Sequence, residues 1–220
     1  MPDAPQERDV ALRLLDRLQI NEHDLTQRTT SPDFSFNFSG FQVGLEVTEC
    51  TPSEVHRARK IASDTGGFPC FMTSKLSVRP PDAPVRSKDE IRNDMSPFGC
   101  GAFVLKDDHL KNWCAHIAVA VSKKQAKFSK YEKFDRNWLL VWDGEGIEND
   151  YYTAVRIPSM LLDALCALPP HEDFNAIYIT SGDYMFEMTS GGLRVAHPLS
   201  DHYNEYFARS AQAPEVGATT

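Results

Sequence analysis

Alternating hydrophobic and polar residues predict a β-hairpin in the first quarter of the chain. Phenylalanines alternate with serine and asparagine along Phe34–Phe38, and aliphatic residues alternate with mostly polar ones along Gln42–Thr48. The dipeptide Ser39-Gly40 between the two stretches is typical of a tight turn. Each predicted strand therefore has one apolar face and one polar face.

Helical periodicity predicts one helix before this hairpin and another after it. The first runs from about Gln6 to Leu18 and the second from about Lys111 to Phe134, because apolar residues in both recur at the spacing of one helix face. Further elements are predicted as strands at Trp138–Trp142, Tyr152–Ile157, Ala176–Thr180, Tyr184–Met188 and Leu193–Ala196, and as a short helix at Pro158–Leu168. This mixture indicates an α/β or α+β fold, with a central mixed β-sheet flanked by helices.

Prolines and a pair of adjacent glycines interrupt the region between about residues 52 and 110, which is predicted to be a loop-rich insertion. A short helix around Ser87–Met95 is expected within it, since Ser87 and Glu90 have the spacing of a capping box. The length of 220 residues suits one well-buried domain better than two independent cores. We therefore predict a single domain over residues 1–207, with the insertion at about 52–110, and a flexible C-terminal tail at 208–220.

Charge and cysteine content narrow the class of protein. The chain has 23 Lys and Arg against 31 Asp and Glu, a net charge of −8, which argues against a uniformly basic nucleic-acid binder but is compatible with a local basic groove. Five cysteines without a CxxC pair favour free thiols in a reducing cytoplasm over a disulfide scaffold or a zinc ribbon. The longest apolar run, Ile117–Val121, is far shorter than a membrane span, and the N-terminus does not resemble a signal peptide. A cytoplasmic protein without membrane contact is expected.

Two carboxylates on the hairpin are candidates for metal binding. Asp33 has the parity of the polar positions in the first strand, and Glu46 lies on the polar face of the second. Because a tight turn joins the strands, both side chains can project from one face of the sheet. Paired hard oxygen ligands, with waters and substrate phosphates completing an octahedron, suit Mg²⁺ or Mn²⁺.

The segments Ser31-Pro32-Asp33 and Leu45-Glu46-Val47-Thr48 resemble the motif of the PD-(D/E)XK nuclease superfamily. The resemblance implies a restriction-endonuclease-like core, in which a helix, a three-stranded meander with the motif, a second helix and a strand follow one another. Residues 6–143 fill these places, with Ile20–Gln27 available for the first strand of the meander. It also implies a metal-dependent phosphodiesterase, a nuclease that hydrolyses DNA or RNA by metal-activated water, with the two acidic residues as ligands of Mg²⁺ or Mn²⁺.

Thr48 stands where that family has its motif lysine, and the second predicted helix has two lysines that can replace it. Lys124 lies in the middle of the apolar stripe and Lys127 borders it, so both are catalytic candidates, with Lys124 preferred. A lysine on a buried face needs an anionic partner, which the hairpin carboxylates can supply, or it must reach past its neighbours to water. Some members of the family relocate the lysine to this helix, and the first helix often supplies a further acid, here Glu7.

A run of lysines at the end of this helix forms a local basic island. Five lysines and one glutamate lie between Lys123 and Lys133, which predicts salt-sensitive binding of phosphate groups. The candidate nucleic-acid-binding residues are Lys123, Lys127, Lys130 and Tyr131. Nucleic acid is thus the expected partner, while the pattern does not determine the oligomeric state. Two alternatives stay open: a catalytically inactive nuclease-fold module that binds nucleic acid or a protein partner, and an unrelated α/β protein whose hairpin matches by chance.

Overall fold

The computed structural model describes residues 4–21, 24–64, 79–94, 107–143, 151–168, 173–181, 184–190 and 192–197. The helices in these ranges are α1 (Ala4–Arg17), α2 (Ser53–Asp64), α3 (Lys88–Asp94), α4 (Asp107–Gln125) and α5 (Tyr151–Cys166). The strands are β1 (Thr26–Gln27), β2 (Phe34–Phe38), β3 (Phe41–Glu49), β4 (Arg136–Asp143), β5 (Ala176–Ser181), β6 (Tyr184–Thr189) and β7 (Gly192–His197). The predicted domain end at residue 207 and the predicted tail 208–220 lie outside the described residues. Among the described helices, none has the length and apolar character needed to cross a membrane.

The strands form one seven-stranded sheet whose spatial order is the order along the chain. β1, β2 and β3 form an antiparallel meander, and β3, β4 and β5 run parallel to one another. β6 and β7 continue the sheet as antiparallel strands. Parallel neighbours require crossover connections, and these connections contain α4 and α5. The mixed sheet with its helices confirms the predicted α+β class.

Apolar side chains cover both faces of the sheet. On one face, Leu14 of α1 packs in a core with Leu45 of β3. On the other face, Ile117 of α4 packs in a second core with Leu139 of β4, together with residues of α5. Because successive side chains of a strand point to opposite faces, β3 directs Leu45 towards α1 and its neighbour Glu46 towards α4.

The predicted hairpin and the predicted capping box are both confirmed. β2 and β3 pair in a register that joins Phe34 to Leu45, so the residues of the next pair are Asp33 and Glu46. At the start of α3, the backbone N–H of Ser87 donates to the Glu90 carboxylate at 2.7 Å, and the backbone N–H of Glu90 donates to the Ser87 hydroxyl at 3.2 Å. The late strands β5, β6 and β7 also confirm the predicted ones.

The second predicted helix is wrong beyond Gln125. α4 ends there, and a 3₁₀ turn over Phe128–Lys130 follows instead of further α-helix. The rings of Phe128 and Tyr131 both pack beside Phe174. A separation of three residues fits one turn of 3₁₀ helix as well as the face of an α-helix, so periodicity alone did not distinguish the two.

The predicted strand Tyr152–Ile157 is also wrong, because this segment forms the first half of α5. Ile157, Leu161 and Leu165 are completely buried at helical spacing. Packing of this stripe against the sheet outweighs the preference of β-branched residues for strands. Pro158 consequently lies inside the helix rather than at its first position.

The insertion contains a helix, α2, that the sequence prediction missed. Val55, Ala58 and Ile61 recur at helical spacing and pack with Ile91 of α3 in a small separate core. The prolines and glycines on either side masked this short periodic pattern. The described part of the insertion therefore has more helix than the predicted loop-rich segment.

Candidate functional site

The β2–β3 hairpin brings two carboxylates together on the face of the sheet that α4 covers. Asp33 immediately precedes β2, and its Oδ2 atom accepts a 2.8 Å hydrogen bond from the backbone N–H of Val47. This bond ties the start of β2 to the middle of β3. It holds the Asp33 carboxylate in electrostatic contact with Glu46.

Glu46 is enclosed, since only 3 % of its side chain is exposed. Its Oε1 atom accepts a 2.5 Å hydrogen bond from Lys124 Nζ and a 3.1 Å hydrogen bond from the Tyr131 hydroxyl. Its Oε2 atom is buried and has no hydrogen-bond partner within the described ranges. A buried carboxylate oxygen without a partner is costly, so this atom is a candidate ligand position.

The loop between the 3₁₀ turn and β4 brings Tyr131 to this carboxylate. Its backbone is joined to the segment before β2, because the N–H of Glu132 donates to the carbonyl of Ser31 at 3.1 Å. Phe134 and Pro32 pack directly over Gly44 of β3, where an added Cβ atom would come within 2.6 Å of the phenylalanine ring and 2.8 Å of the proline ring. The missing side chain at Gly44 therefore lets the loop approach the strand closely.

Burial and like charges perturb the acids of this site. Burial, and next the Asp33 carboxylate, raise the pKa of Glu46, while Lys124 and Tyr131 oppose the rise. Burial and the same aspartate also raise the pKa of Glu7, which lies in the first turn of α1. Burial and the Glu46 charge raise the pKa of Tyr131, so its hydroxyl stays protonated at neutral pH and donates its hydrogen to Glu46.

The lysines of the basic island have different surroundings. Lys124 forms the ion pair described above, and Lys133 donates a 2.9 Å hydrogen bond to the carbonyl of Phe128 while its ammonium lies 3.2 Å from the centre of that ring. Lys127 and Lys130 are exposed and line an open cleft of about 680 Å³. The lysines of the basic island thus have three different environments: a buried carboxylate, an aromatic ring and an open cleft.

The structure brings together most, but not all, of the residues that the sequence proposed as catalytic. Lys124 contacts Glu46, and Asp33 and Glu7 lie within electrostatic range of that carboxylate. Lys127 is not brought to the carboxylates, because it follows the end of α4 and its side chain faces the cleft. Of the predicted nucleic-acid-binding residues, Lys127, Lys130 and Tyr131 line that cleft, whereas Lys123 does not and is exposed on α4.

Sequence reasoning missed the contact between Tyr131 and Glu46. Tyr131 follows Lys124 by seven residues, so the predicted helix places both on one face, and this spacing is the available signal, but a tyrosine on such a face is more often only a core residue. The close packing of Phe134 on Gly44 was missed as well. A glycine on the polar face of a predicted strand can mark a close approach of another segment.

The described ranges contain no group of three or more His, Cys, Asp or Glu side chains arranged to hold a metal ion. The acidic groups that influence one another electrostatically in this site are the two hairpin carboxylates and Glu7. Comparisons of the chain with models of protein families, with curated proteins and with solved structures give no match.

Proposed function

We propose that this protein is a metal-dependent phosphodiesterase, a nuclease that hydrolyses DNA or RNA. The observation that carries the proposal is the contact between Lys124 and Glu46, a buried carboxylate that also interacts with Asp33. A pair of acids can hold a catalytic metal ion, and a lysine can stabilise the charge that develops on a phosphate, so this set of groups suits metal-assisted phosphate hydrolysis. Perturbed pKa values in such a cluster are typical of functional sites.

The topology supports a restriction-endonuclease-like core in this proposal. A helix, α1, precedes the antiparallel meander β1–β3, and the parallel strand β4 follows α4. This is the order of elements that the resemblance to the PD-(D/E)XK superfamily implies. The acidic motif residues would then lie at the start of the second strand and in the middle of the third.

The residues present fit Mg²⁺ or Mn²⁺. Mg²⁺ in phosphate-processing sites is commonly held by one or two carboxylates, with waters and substrate phosphates as further ligands. The buried Oε2 of Glu46 has no partner among the described residues, and Asp33 uses Oδ2 for the backbone bond to Val47. Asp33 and Glu46 would hold the ion, with Glu7 as a further acid. The bound ion would lower the pKa of a water molecule and neutralise phosphate charge.

The chain's own groups would bind and orient the substrate. Lys124 would take the role of the motif lysine, whose position Thr48 occupies. Its ammonium can hold an attacking water and stabilise the negative charge that develops on the phosphate. Glu46 Oε1 fixes that ammonium in position, and the Tyr131 hydroxyl fixes the same oxygen. Tyr131 is therefore a positioning residue in this proposal.

An inactive nuclease-fold module that binds nucleic acid or a protein partner is the second candidate function. The observation that favours it is the same ion pair, because the Lys124 ammonium already neutralises part of the charge on Glu46 that a metal would otherwise compensate. Thr48, in the position of the motif lysine, also favours the inactive module. Metal-dependent turnover distinguishes this module from the enzyme.

The test is an assay of the full chain on single-stranded and double-stranded DNA and RNA, with Mg²⁺ or Mn²⁺ and with a chelator. We expect cleavage only with metal, and a loss of about 100-fold or more in Glu46→Gln and Asp33→Asn, equivalent to several kcal/mol of transition-state stabilisation. Lys124→Met should lose about 100-fold, as expected for one electrostatic group.

Two matched variants control for general damage to the fold. Glu187→Gln removes another buried carboxylate, which the Tyr178 hydroxyl contacts at 3.1 Å on the face that α1 covers. Lys111→Met removes an exposed lysine from the same helix as Lys124. Both should keep the wild-type rate. Cleavage that survives Glu46→Gln and Asp33→Asn would show that the site is wrong, and nucleic-acid binding without turnover would favour the inactive module.

A further inference from the structure

We propose that the cleft beside Tyr131 is a subsite for the sugar–phosphate backbone of a single nucleic-acid strand, next to the phosphate that is cut. This inference rests on the proposed nuclease function and names the form of substrate that the site takes. DNA and RNA share the backbone chemistry that the cleft recognises.

The lining of the cleft is suited to phosphate groups. The lining residues include Thr29, Thr30 and Ser31, which carry hydroxyls, and Lys127 and Lys130, which carry ammonium groups. Hydroxyl and ammonium groups are among the usual donors to nucleic-acid phosphates. The acidic residue of the lining, Glu132, forms an ion pair with Arg28, so its charge does not cancel those of the lysines.

The cleft adjoins the carboxylate site at Tyr131. Tyr131 lines the cleft while its hydroxyl contacts Glu46, so a single side chain separates the two places. The hydroxyl segment Thr29–Ser31 directly precedes Pro32 and Asp33, and Lys127 follows Lys124 by three residues. A strand with one phosphate at the carboxylates therefore has its neighbouring backbone at the cleft.

The size of the cleft selects one strand. Its volume of about 680 Å³ lies within the range of about 300–1,000 Å³ of small-molecule sites, which is room for a short stretch of backbone. A duplex, whose two backbones are separated by grooves about 12 and about 6 Å wide, is larger than this space. The cleft thus holds a single strand or an unpaired end.

Fluorescence anisotropy of the full wild-type chain, in a chelator that prevents cleavage, tests the assignment. The probes are labelled single-stranded DNA, single-stranded RNA and blunt duplex DNA of about 12 nucleotides each. Removing two phosphate contacts by Lys127→Gln/Lys130→Gln should lower the salt slope for single strands by about 1.4, and the affinity at about 0.1 M salt by about 25-fold. Lys60→Gln/Lys111→Gln, which removes two other exposed lysines, should leave both unchanged.

A second variant tests the hydroxyl part of the cleft without changing its charge. Thr29→Val/Thr30→Val keeps the shape of both side chains and should weaken single-strand binding by about fivefold per hydrogen bond lost, with the salt slope unchanged. The DNA and RNA probes should respond alike, because the contacts are to the backbone.

Three results would overturn the assignment: no binding of single strands by the wild-type chain, equal effects of the two lysine double variants, or duplex binding that is as tight and as sensitive to Lys127→Gln/Lys130→Gln as single-strand binding. Because these measurements need no turnover, the two proposals fail separately. Single-strand binding as expected, without metal-dependent cleavage, would refute the nuclease proposal and support the cleft proposal. Cleavage by the wild-type chain, together with single-strand binding that Lys127→Gln/Lys130→Gln leaves unchanged, would refute the cleft proposal alone.

Discussion

Replacing Lys124 with methionine removes the cation in contact with the buried Glu46 carboxylate and keeps a side chain of similar length and flexibility. The ammonium lies 2.5 Å from Oε1, in a pair whose side chains are 21 % and 3 % exposed. Breaking a buried pair by removing one partner costs about 3–5 kcal/mol, since the remaining charge is left uncompensated. The partial exposure of Lys124 puts the expected loss at the lower end, about 3 kcal/mol at neutral pH.

The loss should depend on pH, and its sign follows from the pKa of Glu46. Burial and Asp33 already raise this pKa in the folded protein, and Lys124 opposes them, so the variant raises it further. A carboxyl with a raised folded pKa contributes stability that is complete below its unfolded value of about 4.3 and is lost as the pH rises through the folded value. The free energy of unfolding of the variant should therefore equal that of the wild type near pH 4 and become progressively lower than it as the pH increases.

Urea unfolding followed by circular dichroism, at about pH 4 and about pH 8, measures this difference. At the higher pH, about 3 kcal/mol corresponds to a fall in Tm of about 6–12 °C for a chain of this size. Lys111→Met, from the exposed face of α4, is the control and should change little at either pH. The double variant Lys124→Met/Glu46→Gln should be more stable than Lys124→Met alone, because it also removes the unpaired charge.

Equal losses at both pH values would refute this reasoning, since the cost would then come from packing rather than from an uncompensated carboxylate. The reasoning would also be refuted if the loss of stability in Lys124→Met/Glu46→Gln equalled the sum of the losses in the two single variants. Either result would mean that the contact between Lys124 and Glu46 carries no coupling energy, and it would remove the main support for the proposed site.

Three further results are expected. Gly44→Ala forces a Cβ atom against the Phe134 ring and should cost about 1–3 kcal/mol in thermal unfolding, together with a lower cleavage rate; an unchanged Tm would contradict this close packing. Glu54→Gln weakens the 2.8 and 3.0 Å bonds from the Arg86 guanidinium and should speed limited proteolysis within residues 79–94; unchanged cutting would show that Glu54 does not hold this segment. Because burial and a neighbouring acid raise the pKa of Glu46 in the metal-free protein, protons should compete with the ion for this carboxylate, and the affinity for Mn²⁺ in titration calorimetry should be lower at about pH 5 than at about pH 8; an affinity that does not change with pH would exclude Glu46 as a ligand.

Much of the meander and its acidic pair could be predicted, because side-chain alternation along a strand is a local property. The parity of Asp33 and Glu46 follows from the tight turn between the strands, and the observed register agrees with it. The placement of Lys124 on the buried stripe of α4 is likewise a matter of spacing within one helix. These parts of the site can be predicted from residues that are close to one another in the sequence.

The errors came where a local pattern had two structural solutions. The segment Tyr152–Ile157 has residues that suit a strand, and it forms a helix because Leu161 and Leu165 continue a stripe that the sheet buries. The end of α4 is a similar case, since the spacing of Phe128 and Tyr131 fits both an α-helix and the 3₁₀ turn that is present. Packing against the sheet, not propensity, selected the outcome in each.

The sequence by itself determined the sheet face on which the two acids stand and the helix stripe from which Lys124 projects, because both depend on the fixed periods of strands and helices. Only the tertiary structure decided that Tyr131 contacts Glu46, 85 positions away, and that Gly44 admits Phe134 beside it. Those contacts depend on how a loop crosses the sheet. The path of that loop is set by packing and hydrogen bonds between segments distant in the chain, which no local period encodes.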